Sequence, residues 1–140
     1  MSNKITWLLL IASVVWPTAQ RHGVRPEIVM AQIFCESSFR HDVVNAGCYG
    51  FTQVRKKTWG NIFDFNKMLE PKYNINAGCW ILAHYLKISH GDYRRALKLY
   101  NSGFKKRDTG YADRVLTLSG FRYDGRPYVR KIRKVLDGIK

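Results

Sequence analysis

The stretch Cys35-Glu36-Ser37-Ser38-Phe39 places a carboxylate at the end of an apolar run and follows it with two hydroxyls and an aromatic ring. The chain has ten acidic residues against 24 basic ones, so a carboxylate in an apolar setting is unusual here. Pro26 stands where the first helical residue should be, and the apolar residues 28–35 continue the helix to about Ser37. The sequence therefore predicts a central, largely buried helix with Glu36 near its C-terminal end.

Helical periodicity dominates the rest of the chain. Glu70-Pro71 begins a helix with apolar residues at the i, i+3, i+4, i+7 positions. Gly91-Asp92 is expected to end that helix and cap the next one. Asp108 could cap a shorter helix, and Pro127 is expected to begin a last one.

Turn residues interrupt the helical pattern between residues 41 and 60. Within this region, residues 48–54 could hold a short irregular strand or hairpin. We therefore expect a mainly α, single-domain fold with at most a small β element near residues 48–54.

Residues 1–22 form an apolar N-terminal segment with two interpretations. Lys4 precedes the apolar residues 5–16, as in a signal peptide, but Pro17-Thr18-Ala19 is a poor cleavage site. A helix of twelve residues spans about 18 Å, which is too short for a bilayer. Pro17 is expected to open a short helical stretch that Gly23 ends. The segment is either a buried first helix or a signal or anchor sequence, and we expect no transmembrane span.

The net charge of +14 is extreme for 140 residues, and 15 of the 24 Lys and Arg residues lie from Lys87 onward. This charge implies a polyanionic partner: nucleic acid, an anionic membrane surface or a bacterial cell wall. The four tryptophans are not interleaved with the basic residues as a base-stacking platform requires. The sequence also has no zinc-finger or RNA-binding signature, so we expect no specific nucleic acid as partner.

Three cysteines, Cys35, Cys48 and Cys79, occur without a CxxC pair. A metal site would need closer spacing and a fourth ligand, so we interpret them as small buried residues. A Cys48–Cys79 bridge remains open if the protein reaches an oxidising compartment. Because the sequence has no metal or nucleotide motif, we predict no cofactor.

Glu36 has the setting of a general acid. Apolar neighbours, the negative end of the helix dipole and poor solvation each raise the pKa of a carboxyl group. A raised pKa keeps the proton on the carboxyl at neutral pH, as a general acid requires.

Glu36 does not stand alone, because other segments accompany it in a fixed order: Gly23 to Ala31, Glu36-Ser37-Ser38-Phe39, Gly47-Cys48-Tyr49-Gly50-Phe51-Thr52-Gln53-Val54 and Leu99-Tyr100-Asn101-Ser102-Gly103. Two further segments support them, Pro71-x-x-Asn74-Ile75-x-x-Gly78 and Tyr128-Val129-Arg130-Lys131-Ile132. Together they resemble the motifs of the soluble (SLT-type) lytic transglycosylases of the lysozyme-like superfamily, including E-S-x-F, G-A-x-G-L-M-Q-V, A-Y-N-A-G and Y-V-x-x-V. The resemblance covers about residues 20–136 and implies a lysozyme-like domain over residues 20–140.

The resemblance implies a reaction with one glutamate as acid and base. Glu36 would protonate the leaving oxygen of the β-1,4 bond between N-acetylmuramic acid and N-acetylglucosamine in peptidoglycan. It would then take the proton of the muramic C6 hydroxyl, which closes on C1 to give a 1,6-anhydro product. No partner carboxylate is needed. Glu27 is nine residues back on the same helix, roughly on the opposite face, and Asp42, Asp64 and Glu70 lie in no matched motif.

The resemblance also assigns substrate-binding roles. Ser37 would help to position the substrate, and Gln53 would bind sugar groups beside the cleaved bond. Tyr100 and Asn101 would face the glutamate across the groove, whereas Tyr128 would hydrogen-bond and orient it. Apart from these roles, Tyr100 and Tyr128 could also be core residues of their helices.

The sequence departs from the family pattern at several places. Thr52 replaces the usual methionine, which puts apolar contact with the sugar in doubt. Cys48 and Cys79 replace small residues. The basic segment 104–126 matches nothing specific, and we expect it to form a groove edge or a partner surface.

Two other functions remain open. A goose-type lysozyme would hydrolyse the same bond on the same scaffold, and a basic nucleic-acid-binding or virion structural module would cleave nothing. A compact single-domain enzyme suits local opening of the wall for a phage particle, a secretion apparatus or a conjugation machine. The expected location is the bacterial cell envelope or periplasm, or the virion if a phage encodes the protein.

Overall fold

The computed structural model describes residues 3–105 and 107–121, and it confirms the mainly α fold with a small sheet. The elements of the described residues, in chain order, are helix α1 (Asn3–His22), helix α2 (Pro26–Ser37), strands β1 (Val44–Asn45), β2 (Cys48–Tyr49) and β3 (Val54–Arg55), helix α3 (Lys56–Trp59), a 3-10 turn (Phe65–Lys67), and helices α4 (Pro71–Ile88), α5 (Tyr93–Ser102) and α6 (Tyr111–Ser119). The last predicted helix, from Pro127, lies outside the described residues.

Helix α1 runs without a break through Pro17. The sequence suggested that Pro17 begins a separate short helix, and this detail is wrong. The Thr18 hydroxyl donates to the Val14 carbonyl at 2.7 Å within this stretch. Ile11, Val15 and Ala19 are buried where α1 packs against α2 and α4. None of the described helices combines the length and the apolar character that crossing a membrane requires.

The small sheet is antiparallel, with strand order β1-β2-β3. Val44 pairs with Tyr49, and Tyr49 pairs in turn with Val54. The sheet therefore begins a few residues earlier than the predicted element at 48–54, because the turn at Ala46 and Gly47 joins β1 to β2 as a hairpin.

The core lies between four helices that contact one another in the order α2, α6, α5 and α4, with α1 packed beside α2 and α4. Its largest fully buried side chains include Ile28, Ile33, Ile75, Leu82 and Leu97. Asp92 caps α5 by accepting a hydrogen bond from the Arg95 backbone at 3.1 Å, as predicted. Asp108 does not cap α6 directly, because the cap residue is Gly110, to whose backbone N–H the Asp108 carboxylate is bonded at 2.9 Å.

A buried polar cluster holds the turn between β2 and β3 against α4. Asn74 Oδ1 accepts from the Thr52 backbone at 2.9 Å and from the Thr52 hydroxyl at 2.7 Å. Asn74 Nδ2 donates to the carbonyls of Tyr49 at 2.8 Å and Met68 at 3.0 Å. Asn74 therefore satisfies buried backbone groups, and we call this set of residues the Asn74 cluster.

Two glycines allow this close contact. Gly50 has φ +74°, and a Cβ there would collide with the Asn74 side chain. A Cβ on Gly78 would lie 2.6 Å from Thr52, so Gly78 lets the turn pack onto α4. At Gly78, the partner in this close approach is the Thr52 turn.

Candidate active site

A pocket of about 360 Å³ opens between the end of α2, the sheet and the end of α5. Its wall combines a few polar groups with aromatic and aliphatic side chains, as ligand sites commonly do. Four of the predicted site residues lie on this wall, namely Glu36, Gln53, Tyr100 and Asn101. Glu36 is the only carboxylate among the described lining residues.

Glu36 occupies the last turn of α2, just before the chain turns at Ser38 with φ +52°. The side chain is half-buried, with its exposed part in the pocket. Burial raises the pKa of the Glu36 carboxyl to about 8, and the Tyr111 hydroxyl beside it acts in the opposite direction. The carboxyl is therefore mostly protonated at neutral pH, which is the state of a general acid.

Tyr111, the first residue of α6, is the tyrosine next to Glu36, and the sequence interpretation missed it. Its hydroxyl is buried and makes no well-formed hydrogen bond within the described part of the chain. It nonetheless lies close enough to the Glu36 carboxyl to lower the pKa of that group. Burial, and then the charge of Glu36, raise the pKa of Tyr111 well above its usual value. The hydroxyl thus stays protonated and can donate to Glu36.

Gln32 extends this group by one turn of α2. It is 1% exposed, and its amide lies beside the Tyr111 hydroxyl. Its amide nitrogen also makes no well-formed hydrogen bond to a described group. We call Glu36, Tyr111 and Gln32 the Glu36 cluster.

The sequence contained a signal for Tyr111. Tyr111-Ala112-Asp113-Arg114-Val115 has the same tyrosine-to-aliphatic spacing as the segment from Tyr128 to Ile132. The segment from Tyr128 has valine in the second place of the Y-V-x-x-V motif, whereas Tyr111 is followed by alanine. Tyr128 lies outside the described residues.

Gln53 reaches the pocket from the turn between β2 and β3. Its side-chain nitrogen donates to the carbonyls of Val43 at 3.1 Å and Gly50 at 3.0 Å. Both amide hydrogens are thereby used, so the amide oxygen is the polar atom left to meet a ligand. Gln53 has φ +50°, a strained conformation for a residue with a side chain. Its own two hydrogen bonds hold it there.

Tyr100 and Asn101 lie together at the end of α5. The Tyr100 hydroxyl donates to the Thr52 carbonyl at 2.8 Å, which ties α5 to the turn that carries Gln53. Burial is the first cause, and Glu36 the second, of a Tyr100 pKa well above the usual value. Asn101 accepts a hydrogen bond from the Thr109 hydroxyl at 2.6 Å.

Ser37 and Thr52 point away from the pocket lining. Ser37 is 4% exposed, and its hydroxyl donates to the Ile33 carbonyl at 3.0 Å. Thr52 is 1% exposed and belongs to the Asn74 cluster. The Thr52 side chain therefore lies in the core and does not line the pocket, where the family's methionine was expected to meet the sugar. The three cysteines are free thiols, and Cys48 lies on the pocket wall.

Aromatic rings and cations line a further part of the pocket wall. Trp59 and Tyr85 meet edge to face with ring centroids 5.9 Å apart, and Tyr85 meets Phe104 in the same way at 6.5 Å. Arg55 and Lys105 add positive charge to the wall. Flat rings suit the faces of sugar rings, so this geometry fits a polar, ring-shaped ligand.

A mainly helical fold with a small sheet, and a half-buried glutamate of raised pKa in a pocket, fits the lysozyme-like fold class. The family model described as Transglycosylase SLT domain matches residues 14–114. The chain therefore belongs to the SLT-type transglycosylase family, which confirms the resemblance. The match includes Tyr111 and ends before Tyr128.

Solved structures share the fold. The lytic transglycosylase Slt of Pseudomonas aeruginosa, an inactive glutamate-to-glutamine mutant, is 18% identical, with a TM-score of 0.67 over 77% of this chain and 23% of that chain. The 70-kDa soluble lytic transglycosylase in complex with bulgecin A is 18% identical, with a TM-score of 0.56 over 84% of this chain and 23% of that chain. The present chain thus spans about a quarter of the length of these proteins. No curated protein sequence matches it.

Proposed function

We propose that this protein is a peptidoglycan lytic transglycosylase that cleaves the β-1,4 bond between N-acetylmuramic acid and N-acetylglucosamine. The observation that carries the proposal is the pocket with Glu36 as its one described carboxylate and a pKa of about 8. Glycosidases with paired carboxylates need a second acid about 5–9.5 Å from the first. The described pocket wall supplies none, and this fits a reaction in which one group acts twice.

The proposed reaction is an intramolecular transfer. The Glu36 carboxyl gives its proton to the bridging oxygen as the bond from muramic C1 to that oxygen breaks. The muramic C6 hydroxyl attacks C1, and its proton passes to the Glu36 carboxylate. A C1–O6 bond replaces the C1–O4 bond, Glu36 ends protonated as it began, and no water is consumed.

The other pocket residues would position the glutamate and the sugars. The Tyr111 hydroxyl would donate to the Glu36 carboxylate while the C6 hydroxyl is being activated. The Gln53 amide oxygen would accept from a sugar hydroxyl or acetamido N–H. Tyr100 and Asn101 would form the facing wall, whereas Ser37 would act only through the backbone at the end of α2. The role of Tyr128, to hydrogen-bond and orient the glutamate, stays a prediction.

We further propose that the protein acts at the bacterial cell envelope, where its net charge of +14 favours an anionic wall. Service to a phage particle, a secretion apparatus or a conjugation machine remains part of the proposal.

The test is the chemistry of the products. Digestion of purified peptidoglycan should release muropeptides with 1,6-anhydro ends, identified by mass spectrometry. Glu36→Gln should lose at least about 10³-fold in rate, because the amide cannot donate the proton. Its circular dichroism should match that of the unchanged protein. Reducing ends would indicate a hydrolase, and an active Glu36→Gln protein would overturn the assignment.

A further inference from the structure

A second pocket, of about 420 Å³, adjoins the catalytic pocket. The two pockets share five lining residues at and after the end of α5: Leu99, Ser102, Gly103, Phe104 and Lys105. Phe104 is 72% exposed and lies on the boundary between them. A polymer that fills the catalytic pocket can therefore extend a branch into the second one.

The second pocket is strongly basic. Its remaining wall contains Arg95, Lys98, Arg107 and Asp108, so with Lys105 it has four cations and one carboxylate. Asp108 is already engaged, with its carboxylate 3.6 Å from Lys98 and 3.6 Å from Arg94. No described carboxylate lies within ion-pair distance of Arg95, Lys105 or Arg107. These three cations are therefore available to an anionic ligand.

Two features keep these cations in place. Arg95 and Lys98 project from α5, a regular helix capped by Asp92. The Ser102 hydroxyl donates to the Arg107 carbonyl at 3.3 Å and ties the following segment to the end of this helix. The backbone that carries these cations is thus held by a capped helix and by a hydrogen-bonded loop.

We propose that this basic pocket binds the carboxylates of the peptide stems on the glycan strand. This inference rests on the proposed function. The acetamido sugars of peptidoglycan are uncharged once the lactyl group is amidated, so the anions of the polymer lie in its acidic peptides. A stem leaves its muramic residue beside the scissile bond, and the basic pocket lies beside the catalytic one. The enzyme would thereby prefer peptide-bearing strands to stripped strands.

The experiment compares two soluble substrates, glycan strands with their stems and the same strands after removal of the stems by an amidase. The unchanged protein should show a kcat/KM about tenfold higher for stem-bearing strands, mainly through KM, because the ion pairs form on binding. In Arg95→Gln/Arg107→Gln this ratio should fall about fivefold, and added salt should lower it in the unchanged protein.

The matched control is Lys72→Gln/Lys87→Gln, which removes the same charge from exposed positions of α4 outside both pockets. It should keep the ratio. Amidation of the stem carboxylates should abolish the preference in every variant. Binding of both strands to Glu36→Gln provides a second readout that needs no turnover.

Each outcome separates the two proposals. If both strands are cleaved and bound equally, or if the control lowers the ratio as much, the stem-binding pocket is wrong and the activity stands. If neither strand is cleaved but the stem-bearing strand binds Glu36→Gln more tightly, the proposed reaction is wrong and the pocket stands. If Arg95→Gln/Arg107→Gln loses affinity for an oligonucleotide or a phosphate-bearing wall polymer while the ratio holds, the pocket serves phosphate and the inference is overturned.

Discussion

The Asn74 cluster and the Glu36 cluster are both sets of polar side chains on either side of Tyr100, yet they differ in how fully their hydrogen bonds are made. Asn74 Oδ1 and Nδ2 together make four hydrogen bonds, between 2.7 and 3.0 Å. In the Glu36 cluster, the Tyr111 hydroxyl and the Gln32 amide nitrogen make no well-formed hydrogen bond to any described group. Buried polar groups are normally paired, so the exceptions need an explanation.

The difference indicates which cluster is structural and which is chemical. A saturated cluster fixes one geometry and leaves nothing for a ligand. An unsaturated one keeps a carboxyl uncharged and holds donors in reserve for the moment when that carboxyl becomes charged. Tyr100 links the two, since its hydroxyl bonds to Thr52 while its pKa responds to Glu36.

The largest effect on stability is expected at the saturated cluster. Asn74→Ala should lower the free energy of unfolding by about 3 kcal/mol, because it leaves the buried Thr52 N–H and two carbonyls without partners. Urea unfolding measures this loss. The control is Asn76→Ala on the same helix, an exposed residue bonded to His22 at 2.8 Å, which should cost less than about 1 kcal/mol. Equal losses in the two variants would show that the Asn74 bonds do not hold the turn.

The unsaturated cluster should behave in the opposite way, since removing its charge should stabilise the fold. The pKa of Glu36 is about 8 in the folded protein against an ordinary value of 4.5, so the folded protein holds a proton that the unfolded chain releases. Stability is therefore full at low pH and falls as pH rises from about 4.5 to about 8. Glu36→Gln cannot ionise and escapes this loss.

At pH 8 the free energy of unfolding of Glu36→Gln should accordingly exceed that of the unchanged protein by about 2 kcal/mol. This is less than the full pKa shift would give, because solvent screens a half-buried side chain. The two proteins should be nearly equal at pH 4. Urea titrations at pH 4, 6 and 8 measure the gap. Glu70→Gln, at an exposed carboxyl, should show no such gain. A gap that does not grow with pH would mean that Glu36 ionises normally.

The sequence predicted the scaffold of both clusters for identifiable reasons. Pro26 and Asp92 determine where α2 and α5 begin, and the periodicity of α4 was regular enough to give its bounds. The E-S-x-F motif located Glu36, and the glutamine motif located Gln53 on the same pocket wall. These features are local, so a linear sequence records them.

The errors and omissions concern contacts between distant residues. The continuity of α1 through Pro17 depends on its packing against α4, which periodicity does not report. Thr52 was assigned by its place in a motif, whereas Asn74, 22 residues later, draws its hydroxyl into the core. Tyr111 reaches Glu36 only because α6 packs against α2. The short spacing Tyr-x-x-x-aliphatic recurs along the chain, so it could not decide between Tyr111 and Tyr128.

The smallest expected effect decides between those two tyrosines. Tyr111→Phe should lower kcat/KM about tenfold, because the carboxylate formed during the reaction loses its donor. The Tyr111 hydroxyl lowers the pKa of Glu36, so its removal should raise that pKa. The alkaline fall in rate, expected near pH 8 in the unchanged protein, should then move to higher pH. Replacing a purely structural tyrosine would change the free energy of unfolding without moving the alkaline fall in rate. Tyr128→Phe is the matched variant. If it moves the alkaline fall in rate while Tyr111→Phe does not, the positioning role belongs to Tyr128. In that case the Glu36 cluster, as defined here with Tyr111, does not control Glu36.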